Sequence, residues 1–369
     1  MIQLCAPCLF GIEGILADEL KRMGASEVQA ETGRVLFGGE AAMIARANLR
    51  SRYAERIQIV LGRFPARTFE ELFDGVARLP WEQWIGKTDR FPVKGWSLNS
   101  ALHSIPDCQS IVKKAIVRRL ERAYGLSWFE ETGALYQVQF TLMRDEAMLL
   151  IDTSGAGLHK RGYRAQAGEA PLKETLAAAI GDIMRVRRAE QIVDPCCGSG
   201  TLLIEAALAA RRMAPGLRRG FAAERFAQVP LTVWEEERTQ ARALELADRP
   251  LRLIGGDIDP AMLQLTRQNA AKAGVSDCLQ VRRQELARFV PEGDSGVVLC
   301  NPPYGERMAD KDEAARIIRE MGRVFVKKSG WSYAIISPEE QFETLFGRRA
   351  DKRRKLYNGM LRCQLYMYF

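Results

Sequence analysis

The feature that most constrains this chain is the alternation in its second half, and the way that alternation ends. Strand-like runs at 191–195, 251–257, 278–282, 296–300 and 331–337 interleave with helical patterns at 201–213, 232–247, 260–273 and 311–328. Pro171 opens a further helix with Leu172, Thr175, Leu176, Ala179, Ile180 and Ile183 on its apolar side, and proline suits a first helical position. Strands alternating with helices build a parallel, doubly wound sheet. Lys352 to Tyr357 and Met360 to Phe369 then flank Asn358-Gly359. Asn-Gly between two strand-like runs is a strong hairpin signal, so the sheet should finish with an antiparallel hairpin.

Before residue 165 the pattern is irregular. Strands are expected near 1–10, 35–37, 57–61, 91–98, 135–143 and 147–152. Helices are expected at 12–23, 40–50, 69–79 and 107–124. This mixture reads as α+β packing. A length of 369 residues suits two or three domains. The expected segments are 1–55, 56–164 and 165–369.

In the second half, Asp194-Pro195-Cys196-Cys197-Gly198-Ser199-Gly200-Thr201 follows a strand and opens a helix. Glycines there let a ligand approach the backbone, and a helix N-terminus favours negative charge. A dinucleotide is one candidate, but the spacing is not G-x-G-x-x-G. An acid before the turn would also repel a pyrophosphate. It suits S-adenosyl-L-methionine, whose α-ammonium Asp194 can pair while loop N–H groups meet the carboxylate. Cys196, Gly198, Gly200 and Thr201 belong to the same cradle. Asp257 ends the second strand, where such sheets hold a ribose diol. Asp259 precedes Pro260 and should cap the next helix. After the third strand, Gln284 or Glu285 could accept from the adenine amino group.

The fourth strand runs into Asn301-Pro302-Pro303-Tyr304. Prolines stiffen this loop, and the carboxyl ends of parallel strands are where such sheets bind ligands. An exocyclic amine on a base is a poor nucleophile, because its lone pair is delocalised into the ring. Acceptors aimed at its two hydrogens localise that pair and stabilise the charge that develops on nitrogen. The Asn301 side-chain oxygen and the Pro302 carbonyl can be those acceptors, and Asn301 also borders the cofactor. Tyr304 can stack on the base and orient it. Guanine N2, adenine N6 and cytosine N4 all offer such an amine.

Together these residues resemble the amino-methyltransferases of nucleic-acid bases. Arg161-Gly162-Tyr163-Arg164, the run Ala170 to Thr175, and Ser104-x-Pro106-Asp107-Cys108-Gln109-Ser110 narrow the resemblance. The chain is similar to the bacterial THUMP-domain class I RNA methyltransferases, in particular those acting on guanine N2 of large-subunit ribosomal RNA. The resemblance implies a Rossmann-like α/β sheet with a terminal antiparallel hairpin, preceded by an α+β ferredoxin-like segment and a THUMP module. It implies S-adenosyl-L-methionine as cofactor and RNA as partner, ribosomal before transfer RNA. Gln284 departs from the acid usual in the family. The rival readings are guanine-N2 methylation of transfer RNA, a DNA adenine methyltransferase, an NAD-dependent enzyme and a non-catalytic RNA-binding assembly factor.

The net charge of +8 favours an anionic partner, nucleic acid before membrane. In the helix at 107–124, Lys114, Arg118 and Arg122 form a basic stripe opposite Val112, Ile116 and Leu120, and Lys113 flanks it. Such a stripe suits phosphate contacts or a solvated face. Lys160, Arg161 and Arg164 form a second basic group, read as linker and RNA contact. Arg348-Arg349 and Lys352 to Lys355 form a third, which suits either RNA or a lysine-blunted sheet edge. No metal is expected. Cys5-x-x-Cys8 lacks a second pair, and His103 and His159 are distant. No apolar run is long enough to span a bilayer, and the N-terminus has no basic lead-in, so the cytoplasm is the expected place.

Overall fold

The structure is a computed structural model that describes residues 1–164, 172–303 and 308–369, with side chains from 312 onward in the last segment. Pro171 and Tyr304, both singled out in the sequence, lie outside the described residues.

The first half contains β1 (Ile2–Pro7), α1 (Glu13–Arg22), β2 (Ser26–Glu31), β3 (Arg34–Gly39), α2 (Ala41–Arg50), β4 (Gln58–Pro65), α3 (Phe69–Arg78), β5 (Val93–Leu98), α4 (Ile105–Tyr124), β6 (Val138–Met143) and β7 (Glu146–Asp152). Its strands form one sheet in the order β2-β3-β1-β4-β7-β6-β5, antiparallel except for the β5–β6 pair. β1 hydrogen-bonds to β3 on one side and to β4 on the other, so the sheet runs unbroken past residue 55. β2 has no apolar alternation in its sequence, Ser-Glu-Val-Gln-Ala-Glu, and exists as a strand by pairing with β3 at the sheet edge. Cys5 and Cys8 are both buried but belong to different apolar clusters. Neighbouring positions of opposite parity on a strand point to opposite faces.

The second half contains α5 (Glu174–Ile183), β8 (Gln191–Asp194), α6 (Thr201–Ala210), α7 (Leu231–Ala243), β9 (Arg252–Asp257), α8 (Pro260–Ala273), β10 (Leu279–Arg283), β11 (Gly296–Cys300), α9 (Met308–Val324), β12 (Trp331–Ser337), α10 (Phe342–Phe346), β13 (Lys352–Asn358) and β14 (Leu361–Tyr368). The sheet order is β10-β9-β8-β11-β12-β14-β13, parallel from β10 to β12. The closing hairpin forms around Gly359 at φ +63°. Its second strand inserts between β12 and β13. Burial explains that order. Leu365 to Tyr368 are buried in β14, whereas Lys352, Arg353 and Lys355 leave β13 exposed at the edge. A charged edge strand resists pairing with other chains.

The halves share one apolar core, which runs from Leu4 and Phe37 through Leu176 and Leu203 to Leu365. Every residue of α6 is buried, which a helix apolar on all sides requires. Across the α2–α7 contact, the Arg46 guanidinium grips both Glu237 oxygens, at 2.6 and 2.9 Å. The final hairpin reaches the β1–α1 loop, where Arg354 donates to the Gly11 carbonyl at 2.7 Å. Part of the third basic cluster is therefore internal wiring.

Candidate active site

Asp194 is the last residue of β8, Asp257 the last of β9, and Asn301 follows the last residue of β11. These strands are adjacent, β9-β8-β11, so the three side chains stand at one edge of the parallel sheet, its carboxyl end. That is where open α/β sheets bind ligands.

The turn between β8 and α6 is built by glycines in left-handed conformations. Gly200 has φ +81°, and a Cβ there would sit 2.7 Å from Thr266 Cγ2. Gly198 has φ +51°, and a Cβ there would meet nothing, so this part of the turn borders open space. α8 fixes the turn from outside. Thr266 Oγ1 donates to the Gly198 carbonyl at 2.6 Å, and Asn269 Nδ2 donates to the Ser199 carbonyl at 2.9 Å. Both residues are fully buried. The sequence reading missed them. Their signal was polar side chains at i and i+3 on the helix face that also carries Leu263, Ala270 and Ala273.

Asp194 is buried and accepts from the Cys196 N–H at 3.1 Å. Burial pushes its carboxyl up to about 8, against the pull of that hydrogen bond and with help from the nearby Asp257 charge. A buried carboxylate held without a cation is costly. The ammonium of an amino-acid cofactor offsets that cost, so the residues fit S-adenosylmethionine. Asp257 accepts from Gly198 N–H at 2.9 Å and from Asp259 N–H at 2.9 Å. Asp259 caps α8 by accepting from Ala261 N–H at 2.8 Å, as expected. Asp194 and Asp257 thus engage the Cys196 and Gly198 N–H groups, and the first turn of α6 adds N–H groups of the kind that can bind an anion. Thr201 opens that turn, buried, with its hydroxyl oxygen 2.6 Å from Arg164 Nη2.

After β10, Gln284 is half-buried. Its N–H donates to the Asp257 carbonyl at 3.0 Å and its side-chain amide to the Arg288 carbonyl at 2.7 Å. Glu285 is exposed, with Arg288 3.9 Å away. Asn301 is half-buried, Pro302 buried and Pro303 exposed. Cys196 packs against the apolar cluster containing Cys300, whose thiol burial pushes well up. The cofactor turn and the start of the Asn-Pro-Pro loop are thus in contact.

The basic residues divide. Lys114 and Arg118 are exposed on α4, and Lys160 is exposed. Lys113 is half-buried. It lies over the Phe91 ring at 3.4 Å and pairs with Glu131, so it holds a loop against α4. Arg161 and Arg164 are engaged within the fold. Arg161 is buried, donates to the Leu158 and Arg52 carbonyls and lies 3.4 Å from Glu205. Tyr163 donates to Glu205 at 3.1 Å. Arg164 holds Leu172 O, Thr201 and Glu174. The missed signal is Glu205. An acid inside the otherwise apolar helix Thr201–Ala210 requires a buried donor, and the basic linker supplies it. Among the described residues no cluster of three or more metal-ligating side chains occurs, and no helix is long and apolar enough to cross a membrane.

A parallel sheet closed by an inserted antiparallel strand, with an Asp–glycine turn on its first strand and Asn-Pro-Pro on its fourth, defines a Rossmann-like methyltransferase. Residues 161–367 match the family described as RMKL-like, methyltransferase domain. Residues 3–58 match the RlmL ferredoxin-like domain, and residues 66–152 the THUMP domain. The chain belongs to this RMKL-like methyltransferase family, and its cofactor is S-adenosylmethionine. It is 41% identical to "Putative RNA methyltransferase YpsC" of Bacillus subtilis, over 99% of this chain and 95% of that one. It is 35% identical to "Ribosomal RNA large subunit methyltransferase K/L" of Pseudomonas putida, over 99% of this chain and 52% of that one. The chain therefore spans about half the length of that relative. A crystal structure of "SMU.472, a putative methyltransferase complexed with SAH" matches with a TM-score of 0.93 and 41% identity, over 100% of this chain and 98% of that one.

Proposed function

We propose that the protein methylates the exocyclic N2 amine of a guanosine in large-subunit ribosomal RNA. The observation that carries the reaction type is the placement of Asn301-Pro302 at the end of β11, beside Asp194 at the end of β8. An amine held by the first pair faces a cofactor held by the second. The THUMP match and the relatives' names support RNA as substrate.

S-adenosylmethionine supplies the electrophilic methyl group when bound. Asp194 holds the cofactor's ammonium, α6 its carboxylate and Asp257 its ribose. Gln284, anchored through its own amide on the Arg288 carbonyl, takes the adenine edge in preference to the exposed Glu285. The Asn301 side-chain oxygen and the Pro302 carbonyl accept the two amine hydrogens and hold the lone pair toward the methyl. As positive charge grows on nitrogen, these fixed dipoles stabilise it without reorganising. Buried Pro302 keeps the pair stiff. Tyr304 stacks on the base. A base paired in a duplex must first swing out of its stack. Residues 56–164 handle the RNA, and residues 165–369 carry the transfer.

Nucleoside mass spectrometry on ribosomal and transfer RNA from a deletion strain tests this. One N2-methylguanosine should vanish from large-subunit RNA and return with the wild-type gene but not with Asn301→Ala. Loss from transfer RNA alone, or loss of a methylated adenine, would overturn the substrate assignment. Full restoration by Asn301→Ala would overturn the mechanism.

A further inference from the structure

A cavity of about 270 Å³ lies between the two halves of the molecule, far from the cofactor turn. α1 and α2 form one wall, and the C-terminal end of α6 with α7 forms the other. α6 starts at the cofactor turn and spans ten residues, so the cavity sits roughly 15 Å along that helix, at its opposite end.

Five arginines line the cavity: Arg22, Arg50, Arg52, Arg187 and Arg212. Glu19 is the one carboxylate among the lining residues, and it is committed elsewhere. It accepts from the Ser51 hydroxyl at 2.7 Å and from the Arg52 N–H at 3.1 Å. Arg52 is only 7% exposed. Its Nη2 donates to the Met213 carbonyl at 2.8 Å, while its buried Nη1 has no hydrogen-bond partner among the described residues. The buried Nε of Arg187 is likewise unpartnered, although Asp182 lies 3.3 Å from another of its nitrogens. The side chains of Arg22, Arg50 and Arg212 make no hydrogen bond or ion pair within the described residues. α1, α2 and α6 all end here, and their carbonyl ends attract some positive charge. That attraction does not explain a buried guanidinium nitrogen left without an acceptor. Burial, reinforced by the neighbouring Arg46, holds Arg50 below the usual arginine range, and burial does the same to Arg52.

We propose that this cavity is a phosphate-binding site, separate from the methyl-transfer site, which takes a phosphate group from a free phosphate compound or from an RNA backbone. Guanidinium forks match phosphate oxygens in pairs. A phosphate there would neutralise the charge that the arginines share. It would also bridge the N-terminal half to α6, the helix that carries the cofactor turn.

Pyrophosphate is the probe, used with the full chain saturated in S-adenosylmethionine, with chloride at matched ionic strength as the control. Pyrophosphate should raise the melting temperature saturably beyond chloride. Arg50→Gln with Arg212→Gln should weaken that binding by about tenfold or more, the scale of one lost charge-assisted hydrogen bond. No saturable effect beyond chloride overturns the site. So does an equal effect in a double variant that melts normally in chloride. Should that variant fail to fold, Arg22→Gln at the exposed last turn of α1 carries the same comparison. An RNA fragment that displaces pyrophosphate identifies the ligand as a backbone phosphate, and RNA that leaves it bound identifies a free phosphate compound. The pyrophosphate arm does not depend on the RNA assignment, so either can fail alone.

Discussion

Arg164 Nη2 lies 2.6 Å from the hydroxyl oxygen of Thr201, the residue that opens the helix behind the cofactor turn. The same guanidinium reaches the Leu172 carbonyl at 3.0 Å and lies 3.4 Å from the Glu174 carboxylate. The linker between the halves is thus clamped to the start of α6 and to the start of α5.

Arg164→Ala should therefore act on stability and not on RNA affinity. It leaves the largely buried Glu174 without its cation, and burial already pushes that carboxyl up. Removing one partner of a buried pair costs about 3 kcal/mol. The denaturation midpoint should fall, while the salt slope of RNA binding stays unchanged. A changed slope with an unchanged midpoint would return Arg164 to the RNA contacts.

Asp194 sets a pH dependence. Its folded carboxyl is raised from 3.8 to about 8, so the cofactor-free protein keeps a proton that the unfolded chain has lost. Stability from this source is complete below the unfolded value and is lost as pH rises toward about 8. Cofactor affinity should run the other way. Binding the ammonium requires the carboxylate, so affinity should rise with pH toward 8 and fall once the α-amino group itself loses its proton, near about 8. Calorimetry in buffers of different ionisation enthalpy should show proton release at pH 7. Asp194→Asn should abolish both the release and the rising limb, and a release that survives in this variant removes Asp194 from the ammonium.

Gly200 is held by conformation and by contact. An alanine there pays about 1–2 kcal/mol for the left-handed backbone and meets Thr266 Cγ2 at 2.7 Å. Gly200→Ala should lower the melting temperature and weaken cofactor binding. Adding Thr266→Ser removes the clashing methyl but keeps the hydroxyl that holds Gly198 O, so it should recover part of both. Failure of the second change to recover anything would mean that the backbone strain alone accounts for the loss.

Lys114, Arg118 and Arg122 are all exposed on the α4 stripe, and the first two stand nearest its middle. If each meets one phosphate, replacing both by glutamine should reduce the slope of log affinity against log salt by roughly 2. The loss should be similar across RNA sequences, and the methylated position should not change. An identical slope in the double variant clears α4 of phosphate contact.

The sequence was most legible where one local pattern had one meaning. Asn358-Gly359 marked the hairpin, Asp259-Pro260 marked a helix start, and the Asp194–Thr201 run marked a strand, a turn and a helix. β2 was illegible, because a polar edge strand carries no alternation and is created by its partner. The five-residue helix α10 also escaped, being too short to show a helical period. Among the site residues, Asp194 and Asp257 stand at strand ends as read. Thr266 and Asn269 could not be assigned, since a buried polar pair on a helix does not announce which backbone it holds.

The sequence by itself determined the strand–helix alternation of the second half, its closing hairpin and the glycine turn. Those properties are local, arising from side-chain periodicity, backbone freedom at glycine and stiffness at proline. Tertiary structure alone decided which charges face outward. Arg161 and Arg164 read as nucleic-acid contacts along the chain, yet in the fold buried Arg161 donates to Glu205, and half-buried Arg164 donates to Thr201 and lies 3.4 Å from Glu174. The reason is physical. A guanidinium seeks whichever acceptors are desolvated nearest to it, and two of these, Glu205 for Arg161 and Thr201 for Arg164, lie 44 and 37 residues away in sequence on α6, which only the packed core brings within reach.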